Sequence, residues 1–216
     1  MSDAATQPVV VAHIIKTITR NQKDILDALG EEPIAVYQFL SSEAAKGGVD
    51  RNPLFQFVYR SFYRLDTAGL TPAFKRQYFT LMEGARNAGS IDLTAITTDL
   101  YQYETLRKHK SLQFSFVTKL AATVDPSYPI YDRAVGTALG FPPPAGGKAF
   151  AKGLARNLQF YAWLRGLYAN LLSNPTALPA MAALTTQYPR AATIPPTKLL
   201  DFIFWSAGKL ELVLVP

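Results

Sequence analysis

The sequence predicts an all-α fold. Apolar residues recur at helical spacing in nearly every segment between turn signals, and helix-start pairs recur as Asn52-Pro53 and Thr71-Pro72. Only the closing "LELVLVP" reads as extended. A chain of 216 residues, 49% hydrophobic and 18% charged, can build one cooperative core, so one compact helical domain is expected. A rigid connection, "GFPPPAGG", is the best candidate for a seam between two lobes around a cleft, near 140–148.

The elements follow in order. Val9, Val10, Ile14, Ile15, Ile18, Ile25 and Leu26 mark a first helix or helix pair, ended at Gly30, and a second helix runs from about 34 to 45 before Gly47 and Gly48. Asn52 as N-cap with Pro53 at the first helical position opens a helix on which Leu54, Phe55, Val58, Phe62 and Leu65 form the apolar side. Gln56, Arg60 and Arg64 form the polar stripe opposite. Further helices are expected over 72–87, 91–106, 114–124, 133–139, 149–172, 176–187 and 196–207.

Composition narrows the chemistry. With no cysteine, disulfides, thiolate zinc sites and iron–sulfur clusters are excluded. His13 and His109 lack a metal-ligand spacing, so neither a metal nor another cofactor is expected. No apolar run reaches the roughly 18 residues of a bilayer crossing, and "MSDAATQPVV" has no secretion-signal pattern, which points to the cytoplasm and to no membrane partner. A net charge of +6 favours an anionic partner without naming one.

The stretch "FSFVTKLAATVDPSYPIYDRAVGTALG" concentrates the chemistry. Phe116, Val117, Leu120, Ala121 and Val124 form the apolar stripe of one helix, with Lys119 beside it. Taken alone, Lys119 reads as a lysine snorkelling from a partly buried stem. Thirteen positions later, past Pro126 and Pro129, Asp132 reads as the N-cap of the next helix. Asp125 and Asp201 read as turn or surface acids.

These elements resemble the helix–hairpin–helix DNA glycosylases, particularly the 8-oxoguanine glycosylase branch and a group of short bacterial proteins related to it. "SFVTK" is similar to the family's lysine element and "YPIYDRAV" to its aspartate element, while "NPLFQFVYRSFYRLDTAGL" and "LLDFIFWSAGK" are similar to the short bacterial group. The resemblance implies a base-excision enzyme of the helix–hairpin–helix type. In it, Lys119 attacks the sugar carbon and Asp132 stabilises the oxocarbenium-like charge that develops there. A Schiff base on Lys119 then brings abasic-site lyase activity. The base implied is an oxidised purine such as 8-oxoguanine, or another damaged or modified base.

The family's hairpin carries a glycine-rich turn whose amides bind a DNA phosphate. Here "LRKHKSLQFSF" stands in that place without a glycine, and Arg107, Lys108 and Lys110, with Ser111 and Ser115, are the candidate DNA contacts. That basic run also reads as a solvated helix end. Gln56, Arg60 and Tyr131 are candidates for a base pocket, and the expected partner of this monomer is DNA, in the nucleoid. Two other functions stay open: a non-catalytic helical nucleic-acid-binding module and a helical protein-interaction protein.

Overall fold

The computed structural model describes residues 7–141 and 149–216, and all its helices and strands among those residues are helices, so the fold is all-α. In chain order they are α1 (Gln7–Arg20), α2 (Gln22–Leu29), α3 (Glu32–Lys46), α4 (Pro53–Phe62), α5 (Pro72–Ala88), α6 (Leu93–Leu100), α7 (Phe114–Val124), α8 (Arg133–Ala138), α9 (Phe150–Ser173), α10 (Leu178–Gln187) and α11 (Pro196–Lys209). Short 3₁₀ turns at Pro175–Ala177 and Pro189–Thr193 flank α10. The seam expected near 140–148 falls almost wholly on residues outside those described.

The described residues form two compact units, the first built from 7–34, 129–141 and 159–216 and the second from 35–128 and 149–158. In the first, α11 is the central element. Its sequence "PTKLLDFIFWSAGK" is apolar nearly all round, and Leu199, Leu200, Phe202, Ile203, Phe204 and Ala207 are all buried. It packs against α8, α2 and α10. The expected extended tail is not a strand: residues 210–216 leave α11 as a turn, and the Leu214 N–H donates to the Ala138 carbonyl at 2.6 Å.

The second unit has an aromatic core of Phe55, Tyr59, Phe74, Tyr78, Phe79 and Phe114, with neighbouring rings in tilted and edge-on contact. Its helix starts are those expected. Asn52 accepts the Phe55 N–H at 3.0 Å, Thr71 accepts the Phe74 N–H at 3.2 Å, and Pro53 and Pro72 need no intrahelical partner for a missing N–H. α4 ends at Phe62, earlier than its pattern suggests, because Arg64 turns into the left-handed region at φ 61°. Leu54 is exposed rather than on the core side, since Phe55 and Tyr59, four apart, take that face.

Glu83 on α5 is buried and fixes the turn after α3. It accepts the Val49 N–H at 3.1 Å and pairs with Arg86. The Arg86 hydrogen bond, helped by the Gly48 and Val49 amides and opposed by burial, holds its carboxyl down at about 2, against an ordinary 4.5. A lowered carboxyl value means stability that is present above pH 4.5 and lost as pH falls towards 2. Acid titration of the wild-type protein should therefore remove on the order of 2 kcal/mol across that window, the Arg86 side being partly screened by solvent. Glu83→Gln should flatten the acid limb, as followed by urea unfolding at each pH.

Candidate functional site

Helix α7 is buried almost all round. From Phe116 to Ala122 every residue is buried, including Thr118 and Lys119, because α5 and α6 both pack on it. Of the expected stripe, only Val124 is half-exposed. Its polar atoms are satisfied internally: the Thr118 hydroxyl donates to the Ser115 carbonyl at 3.0 Å, and the Thr123 hydroxyl to the Lys119 carbonyl at 2.8 Å.

A chain of phenols ties α7 to its neighbours. Tyr78 on α5 donates to the Phe116 carbonyl at 2.8 Å, so the 2.8 Å bond between the Tyr78 and Tyr59 hydroxyls is donated by Tyr59. The Thr123 hydroxyl lies 3.4 Å from that of Tyr59. Burial holds both phenols well above their ordinary range, so they serve as neutral donors.

Lys119 is only 8% exposed. Its amine is 3.4 Å from the Ser115 hydroxyl, 5.2 Å from the Phe116 ring centre and 5.8 Å from that of Tyr63. The side chain is thus buried along nearly its whole length. Tyr63 also lines a shallow recess with Tyr37, Leu40, Ser41, Ala122, Thr123 and Pro126.

Asp132 belongs to the first unit, and there it is the N-cap expected of it. In extended backbone at φ −136°, its carboxylate accepts the Val135 N–H at 3.1 Å. Tyr161 donates to the Pro129 carbonyl at 2.7 Å, and the Ile130 N–H donates to Asp201 at 3.0 Å. Asp125 is the turn acid expected, accepting the Ser127 N–H at 2.8 Å.

The basic run is not a helix end. α6 stops at Leu100, and residues 105–109 close into a tight loop: the Thr105 N–H donates to the His109 carbonyl at 2.9 Å and the Lys108 N–H to the Thr105 carbonyl at 2.9 Å. The Leu106 N–H donates to the Gly69 carbonyl at 2.8 Å, beside a bridge between Leu70 and Thr105. Lys108 takes a left-handed φ of 54°. Arg107, Lys108, His109 and Lys110 are all exposed on this loop, as is Leu106, at 64%. Ser111 and Ser115 are half-buried, and Ser115 is the Lys119 partner.

The residues expected in a base pocket have structural partners. The Gln56 amide donates to the Val49 and Asp50 carbonyls at 2.9 and 2.8 Å, and Arg60 bonds Asp66 at 3.1 Å. Both belong to the second unit. Tyr131, in the first, is buried with its ring 4.6 Å from that of Phe160.

Asp201 is a correction. Far from a surface acid, it is 6% exposed and paired with Lys198, itself 2% exposed. Burial pushes its carboxyl up, against the opposing pull of Lys198, the Ile130 N–H and the Tyr168 hydroxyl. The signal was present in "KLLDFIF", where two opposite charges at i, i+3 interrupt an apolar run.

No cluster of three or more metal-ligating side chains occurs among the described residues. Nor is any helix among them long and apolar enough to cross a membrane. No family model, curated protein or solved structure matches the chain.

The phenol chain gives a direct stability prediction. Tyr78→Phe removes the donor to the Phe116 carbonyl and the acceptor of Tyr59, both buried, and should cost about 1–3 kcal/mol in urea unfolding.

Proposed function

We propose that the protein is a DNA glycosylase that removes a damaged or modified base, with abasic-site lyase activity through a Schiff base on Lys119. The observation that carries this reading is Lys119 itself, an amine buried against two aromatic rings. A lysine amine held at a fixed place among buried side chains is suited to attack carbon once it has given up its proton.

The chemistry then runs as follows. The Lys119 amine attacks C1′ of the target nucleotide as the glycosidic bond breaks, and the base leaves with the bonding electron pair. Asp132 is the anion that stabilises positive charge on the sugar in that transition state. Loss of a proton from the nitrogen and ring opening give the imine. Removal of a C2′ proton then expels the 3′ phosphate by elimination. The resemblance of "SFVTK" and "YPIYDRAV" to the glycosylase elements supports the same pair and suggests an oxidised purine as the base.

The loop at 105–110 supports DNA as the partner in a particular way. Its Thr105, Leu106 and Lys108 amides are committed within the protein, so phosphate contact falls to the exposed side chains of Arg107, Lys108 and Lys110. The same observation favours a second reading, a non-catalytic nucleic-acid-binding module, since amide contacts of the glycosylase hairpin are missing.

Duplexes carrying single damaged or modified bases separate the two. The wild-type protein should produce abasic sites on at least one of them; Lys119→Gln should abolish this while sparing DNA affinity. Asp132→Asn should lower excision about a hundredfold or more at little cost in stability, because asparagine still caps α8. Binding without excision on every duplex selects the second reading.

A further prediction concerns the loop. Lys108→Ala with Lys110→Ala should weaken binding about equally for all sequences and reduce the salt slope by about 2. An unchanged slope in a filter-binding titration removes the loop from the DNA contact.

A further inference from the structure

We infer that Asp201, held by Lys198, is a positioning residue for Asp132, anchoring the backbone that carries it. The inference rests on the proposed role of Asp132 in base excision, and every contact it uses lies within the first unit.

The segment from Pro129 to Ala138 is tethered at successive points. Tyr161 donates to the Pro129 carbonyl, the Ile130 N–H donates to Asp201 Oδ1, and the Leu214 N–H donates to the Ala138 carbonyl. Between the last two, α11 crosses α8 so closely that a Cβ on Gly208 would lie 1.9 Å from the Ala134 carbonyl oxygen, a separation only glycine permits. Asp132 sits between the Ile130 anchor and the Ala134 crossing. The Asp201 bond fixes the chain just two residues before the carboxylate, and the crossing fixes it two residues after.

The choice of a charged pair for this task is informative. Replacing a buried ion pair by apolar groups is often neutral or stabilising, so the pair is poorly explained as a source of stability alone. A carboxylate supplies what an apolar side chain lacks, a directed acceptor. Its Oδ1 takes both the Ile130 N–H and the Tyr168 hydroxyl, at 3.0 and 2.9 Å, while Oδ2 meets Lys198. Lys198 balances that charge. Burial, then the charge and hydrogen bond of Asp201, then lesser pushes from Tyr161 and Asp132, hold the Tyr168 phenol well above its ordinary range. Asp132 thus lies within electrostatic reach of the same cluster.

Asp201→Asn alone leaves the Lys198 ammonium buried without its counter-charge, so the test uses two double variants in the full chain. Lys198→Met with Asp201→Leu removes charge and acceptor together; Lys198→Met with Asp201→Asn removes the charge and keeps an oxygen for Ile130 and Tyr168. On a duplex that the wild-type protein cleaves, the first should lose about tenfold to a hundredfold in kcat with KM for DNA unchanged. The second should recover to within about threefold of wild type. Equal kcat in the wild type and the leucine variant overturns the inference, as does a parallel loss of kcat and DNA affinity in both variants.

Hydrogen exchange of the Ile130 amide reads the anchor without any variant or activity. In the wild type it should be protected as strongly as the α11 amides; exchange as fast as that of Ser127 overturns the inference even if neither double variant folds. Absence of excision by the wild type on every duplex counts against the proposed function instead, and leaves this exchange readout to decide whether the anchor exists.

Discussion

A carboxylate buried in an apolar helix must find donors or lose its charge, and in the first unit much of the architecture answers that requirement for Asp201. Its donors come from three places in the sequence: Lys198 one turn earlier on α11, Tyr168 on α9, and the Ile130 amide directly after Pro129. Meeting it sets the helix that carries Asp201 against the start of α8. Gly208 then lets α11 pass α8 at backbone distance, which larger residues would prevent. The cap at Asp132 is the local consequence of this longer-range arrangement.

The second unit meets a similar demand with neutral groups. α7 is buried almost all round, and the Phe116, Ser115 and Lys119 carbonyls accept from a phenol or from the helix's own hydroxyls. Tyr59 and Tyr78 are held neutral by burial and act as fixed donors within an aromatic cluster. This makes α7 a rigid support for the Lys119 amine. Rigidity suits the nucleophilic role proposed for that amine, because small displacements of a reacting atom are costly.

Local chemistry was legible in the sequence. The caps at Asn52, Thr71 and Asp132 follow from residue type and the prolines or apolar runs beside them, and α7 follows from its period. What escaped depended on partners outside the repeat of each helix, some near in sequence and some far. Gln56 was free to face anything until the turn at Val49 and Asp50 folded under it, and Arg60 until Asp66 came round beside it. Asp201 depends on Ile130, 71 residues away. The loop at 105–109 looked like a helix end because its closing bonds, from Thr105 and to Gly69, leave no periodic trace. Leu54 was misassigned for a different reason: at a helix start the apolar face is set by the few residues that follow, and here Phe55 and Tyr59 outweighed it.

The account turns on whether a buried lysine attacks DNA sugar. The most direct measurement is reduction of the wild-type protein with borohydride on an abasic-site duplex, followed by proteolysis and mass spectrometry of the nucleotide-bearing peptide. A Schiff base at the buried amine predicts a stable cross-link carried by Lys119 alone. A cross-link on Lys108 or Lys110, or no covalent product under conditions where the duplex is bound, contradicts it.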